Sequence, residues 1–151
     1  MLKSSRFASW LPYSLLISGG LFVGYLLITP DQLTWAHNGA DSGDLLAAAL
    51  TGGVAHPSGY PTYLILVRLF QLLPLSTPYF RAAVLSAAAS AGAAFLLAGW
   101  LYREVKGMFP APLLTALTAA LAWGAAPLVV SQAVIVEVYG LQSLFVVLSF
   151  W

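Results

Sequence analysis

The chain is 151 residues long, 60% hydrophobic and only 7% charged, with a mean hydropathy of +0.88. A water-soluble domain carries about one quarter charged residues, so that class is excluded. Six Lys and Arg against five Asp and Glu give a net charge of +1, which offers no basic surface for nucleic acid, and the absence of cysteine removes disulfides, thiolate metal ligands and cysteine nucleophiles.

The first apolar run, Leu11 to Thr29, follows Lys3 and Arg6. As a helix it is about 28 Å long, close to the ~30 Å hydrocarbon core of a bilayer. It exceeds the usual ~7–15-residue core of a signal peptide and leads into Pro30-Asp31 without a small-residue cleavage site, so it reads as an uncleaved span. A second run, Ala82 to Tyr102, is closed by Arg103, Glu104 and Lys106. Its Ala83, Ala87 and Ala91 recur every fourth residue beside Ser86 and Ser90, a face suited to close helix packing in lipid. The third run, Ala111 to Val130, follows the breaker Gly107-Met108-Phe109-Pro110. A fourth, Val138 to Trp151, reaches only about 21 Å and reads as cut off within a helix. Placing Lys3, Arg6, Arg103 and Lys106 on one side gives an inside N-terminus, with residues 30–81 and 131–137 on the far side. The expected fold is all-α: a polytopic membrane module over residues 1–151 with about four spans and short interfacial helices in the first outer loop.

Polar chemistry gathers in that loop. Asp41-Ser42-Gly43-Asp44 precedes the run Leu45 to Leu50, and Gly52-Gly53 ends it, which reads as a short helix. On the local pattern Asp41 is an N-cap and Asp44 its capping-box partner. His56-Pro57-Ser58-Gly59-Tyr60-Pro61 turns the chain, because each proline fixes its own backbone and biases its predecessor toward extended forms. Thr62 to Leu73, about 18 Å as a helix, is too short to span and reads as interfacial, with Arg68 snorkelling to headgroups. Arg81, at the outer end of the second span, is either a headgroup anchor or a bidentate partner for a phosphate. Glu137 is a lone acid in an apolar stretch, hence either an interfacial anchor or a functional group.

The strings Asp41-Ser42-Gly43-Asp44-Leu45, Gly53-Val54-Ala55-His56-Pro57-Ser58-Gly59-Tyr60-Pro61-Thr62-Tyr63, Ser131-Gln132-Ala133-Val134 and Glu137-Val138-Tyr139-Gly140-Leu141 resemble, in order, a bacterial membrane family of undefined function. Its eukaryotic relatives include TMEM-type protein O-mannosyltransferases of the GT-C superfamily. Asp44 stands where that family usually has Glu, and Ser58 where it usually has Pro; both changes keep the chemistry. Family members carry more spans, so the chain reads as an N-terminal portion.

The resemblance implies an inverting transfer of a sugar from a polyprenyl-phosphate donor to a protein or glycan acceptor outside the cytoplasm. Asp41 matches the family's general base. Asp44 would orient the acceptor or hold a metal, His56 and Arg81 would neutralise the leaving phosphate, and Tyr60 and Glu137 complete the expected binding residues. No cofactor and no metal ligand are assigned, a divalent cation being compatible with the superfamily. The expected location is a bacterial inner membrane with the site facing the periplasm, or the endoplasmic reticulum in a eukaryote. The alternatives are a non-catalytic membrane scaffold and a transporter fragment, the latter expected to show paired broken helices in two similar halves.

Overall fold

The computed structural model describes residues 9–151, so Lys3 and Arg6 lie outside the described residues. It is all-helical: α1 (Leu11–Ile28), α2 (Ser42–Thr51), α3 (Pro61–Phe70), α4 (Pro78–Val105), α5 (Pro112–Gly124), α6 (Pro127–Ala133) and α7 (Tyr139–Ser149), with a single 3₁₀ turn at Ala36–Asn38.

Two helices, α1 and α4, are long and apolar enough to cross a membrane. Helix α4 is the central column. At about 42 Å it exceeds the hydrocarbon thickness, and its small-residue face, including Ala82, Ala83, Ser86, Ala87, Ser90 and Ala91, is buried against its neighbours. It begins one turn before the expected Ala82. Thr77 caps it by accepting the N–H of Phe80, and Pro78 occupies the first turn, where its missing N–H costs nothing. The Thr77 hydroxyl also donates to the Asp31 carbonyl, and the Ser76 hydroxyl to the Asp31 carboxylate at 2.8 Å, which ties the end of the α1 link to the start of α4. At the opposite end, Trp10 stacks on Phe95 and Trp151, and the Arg103 guanidinium lies 3.8 Å above the Trp151 ring.

The expected third span is not straight. It breaks at Gly124-Ala125-Ala126-Pro127 into α5 and α6, bent by 62°. Pro127 supplies no N–H to continue α5, and Ala126 before it is extended (φ −61°, ψ 136°), as a residue preceding proline prefers to be. The carbonyl left free at the end of α5 is recovered by α1: the Tyr25 hydroxyl donates to Gly124 O at 2.6 Å. The expected fourth span is an 11-residue helix, α7. That is about 16 Å, too short to cross by itself. The described residues therefore hold two candidate spans, or three when the bent pair is taken as one.

Between α6 and α7 the chain runs without a helix through Val134, Ile135, Val136 and Glu137, all buried. Buried backbone outside regular structure needs partners. Two serines provide them: Ser42 Oγ donates to Val136 O at 2.9 Å, and Ser86 Oγ donates to Glu137 O at 2.9 Å while accepting the Glu137 N–H at 3.3 Å. The outer loop and the central helix thus fix this segment jointly.

Candidate functional site

Helix α2 begins where expected and ends at Gly52, whose φ of +80° is one that glycine adopts without cost. The capping box does not form. Asp41 is the N-cap residue, but its side chain bonds no backbone N–H of the helix. Asp44 Oδ2 reaches across the loop instead, accepting the backbone N–H of His56 at 2.9 Å and its Nδ1–H at 2.8 Å. The other ring nitrogen, Nε2, stands 3.6 Å from Asp41 Oδ2. One imidazole is therefore held between two carboxylates from the first turn of one helix. The Tyr60 ring packs edge-on to it, with centroids 5.3 Å apart.

The two N–H donors from His56 hold the Asp44 carboxyl below its usual range, the backbone one first. The Asp44 carboxylate in turn raises the His56 imidazole above its ordinary value, helped by Asp41 and by the more distant Glu137. The side chains are 35% exposed at His56 and 47% at Asp44, so solvent screens the pair and its stabilising effect is modest. Its pH dependence has a definite sign. Asp44 contributes above its unfolded value and loses that contribution as pH falls through its lowered folded value; His56 contributes below its unfolded value and loses it as pH rises through its raised folded value. The drop in Tm caused by Asp44→Asn is accordingly expected to be largest between the two ordinary values, 3.8 and 6.5, and to narrow on either side. Thermal melts of both proteins from pH 3 to 9 measure it, and a drop that does not vary with pH would contradict it.

Asp41 also faces a cavity of about 730 Å³. Asn38, Asp41, Gln132 and Glu137 contribute polar lining from outside or at the edge of the long helices, and Ser90, Gln142 and Ser143 add hydroxyl and amide groups from α4 and α7. The remainder is mostly apolar and comes from α4, α5, α6 and α7, including Leu97, Trp100, Trp123, Val147 and Phe150. Among the described residues, neither Lys nor Arg lines the cavity. Glu137 is only 3% exposed. Burial, followed by the repulsion of Asp41, raises its carboxyl above the usual range, tempered by the Val138 N–H and by His56. Beside the cavity His37 and Asn38 both have φ of 61°, an uncommon conformation in which Asn and His are over-represented. The His37 carbonyl accepts Gln132 Nε2 at 3.2 Å, which joins this turn to α6.

The structure therefore brings Asp41, Asp44, His56 and Glu137 into one neighbourhood, with Asp41 and Glu137 lining the cavity and Asp44 and His56 outside the lining. Tyr60, left-handed at φ 46°, starts α3 and lines a second hollow of about 530 Å³ between α3 and α7. Arg81 lies elsewhere, its guanidinium donating to the carbonyls of Gln71, Leu75 and Ser76 in the α3–α4 link. Arg68 likewise donates to Ala48 O and Ala49 O, the free carbonyls at the end of α2, where a cation is favoured. Among the described residues no group of three or more His, Cys, Asp or Glu side chains is arranged to hold a metal ion. Trp100 and Trp123 of the cavity carry no sequence signal, Gln132 sits in a motif without an assigned role, and Ser90 reads from the sequence only as part of a packing stripe.

A family model described as the protein O-mannosyl-transferase TMEM260 N-terminal domain matches residues 41–151, beginning at the aspartate that faces the cavity. The chain belongs to this family. No curated protein and no solved structure matches it. Membership of the TMEM260 N-terminal family makes the chain a protein O-mannosyltransferase-like membrane protein, and its apolar helices agree with that setting.

Proposed function

We propose that this chain is a membrane module of a GT-C-like glycosyltransferase that moves a sugar, with inversion, from a polyprenyl-phosphate donor to a hydroxyl of a protein or glycan acceptor outside the cytoplasm. The observation that supports this most is the mixed polar and apolar lining of the cavity. Its polar side chains, Asp41 and Glu137 among them, suit the hydroxyls of a sugar, and Leu97, Trp100 and Val147 suit an isoprenoid tail. Asp41 acts as general base, taking the proton of the acceptor hydroxyl as its oxygen attacks the anomeric carbon and the lipid phosphate departs. Glu137, the second carboxyl on the cavity, binds the sugar.

The test compares donors in full-length protein reconstituted in nanodiscs. Mannose carried on a long polyprenyl phosphate is expected to be consumed, a short-chain analogue less well, and a water-soluble nucleotide sugar not at all. Equal use of the nucleotide sugar would remove the lipid-linked reading; a protein that consumes none of them would favour a scaffold.

A further inference from the structure

Resting on Asp41 as the base, we propose that His56 is a positioning residue that receives the acceptor's proton from Asp41 and releases it to solvent, with Asp44 fixing the tautomer that makes this possible. Three features of the geometry lead there. Asp44 Oδ2 accepts both the backbone N–H and the Nδ1–H of His56, so the neutral ring keeps its proton on Nδ1 and presents a bare Nε2. That bare nitrogen faces Asp41 Oδ2 at 3.6 Å. Two acceptors facing each other lack one proton between them, which is the proton the reaction generates. Finally, Asp41 lines the cavity and His56 does not, while the His56 side chain is 35% exposed, so Asp41 stands between the substrate space and a partly solvated imidazole.

The step balances. The acceptor oxygen forms a bond to the anomeric carbon, the bond from that carbon to the phosphate oxygen breaks with its electron pair leaving on the phosphate, and the hydroxyl proton passes to Asp41 Oδ2, then to His56 Nε2, then to water. The groups around the ring are Asp41 and Asp44 on α2, the Tyr60 ring ahead of α3, and Glu137 at longer range. Because the ring must be neutral to receive the proton, the rate rises with pH through the His56 titration.

Two measurements on full-length protein in nanodiscs decide the matter. NMR of ¹⁵N-labelled histidine follows the ring, the His56 signals being those that His56→Gln removes. His56 is expected to titrate above 6.5 and to fall toward that value in Asp44→Asn. An ordinary midpoint in the wild type, or one unmoved by Asp44→Asn, overturns the proposal without reference to activity. In the second, His56→Gln is expected to lower kcat by roughly tenfold or more with little change in donor KM, and to abolish the rise of rate across the imidazole titration. A His56→Gln profile that superimposes on the wild type overturns the relay while leaving Asp41 as base. Full activity of Asp41→Asn instead removes the base assignment itself, and the relay falls with it.

Discussion

Asp41→Asn is expected to slow sugar transfer by roughly 10²–10⁴-fold, the range over which a positioned general base acts. The change should leave the fold intact. The Asp41 side chain caps nothing, is 55% exposed, and has its nearest charged neighbour 3.6 Å away at His56. Asn keeps its size and hydrogen-bonding shape while removing the basic oxygen. Single-turnover transfer, measured beside the thermal midpoint of the same preparation, separates chemistry from folding. A rate within a few-fold of wild type at unchanged Tm would transfer the role to another group, with Glu137 the other carboxylate on the cavity.

The second large effect is on stability. A Cβ at Gly140 would lie 2.7 Å from the Ser86 carbonyl oxygen and 2.8 Å from Ser90 Oγ. The first of these is backbone of the central helix and cannot turn aside. Gly140→Val must therefore lift the start of α7 from α4, which strains the paired bonds between Ser86 and Glu137 three residues earlier. Overpacking of this kind costs about 3 kcal/mol. Gly19→Ala is the matched control, since nothing lies within 4 Å of its added carbon. Its change should stay within about 0.5 kcal/mol. Thermal unfolding of both variants in the same detergent makes the comparison, and equal midpoints would mean that α7 is not held at this contact.

The chain's helices were legible because apolar runs and their breakers are local. What escaped was decided by partners distant in sequence. Asp41 and Asp44 carry the pattern of a capping box, yet an imidazole 12 residues onward draws Asp44 away from the helix end. Arg81 has the features of an anion ligand, and three carbonyls of an irregular link use its donors first. The Gly124 to Pro127 break is plain in the letters, but uninterrupted hydropathy across it reads as one span. The serines of α4 are spaced as a packing stripe, and nothing local reveals that Ser86 also anchors the irregular segment bearing Glu137. The cavity, assembled from the outer turn and four helices, has no single-segment signature.

The bend between α5 and α6 also bears on how substrate supply should be counted. Trp123, Leu128 and Val129, on either side of the 62° turn, all line the cavity, so the lining there is formed where the span departs from a straight path. The proposed donor, its tail resting against these residues, would be supplied from the plane of the bilayer. With the proposed lipid-linked donor, occupancy follows mole fraction in the lipid: adding inert phospholipid at constant total donor is expected to lower it as surely as adding buffer dilutes a soluble ligand.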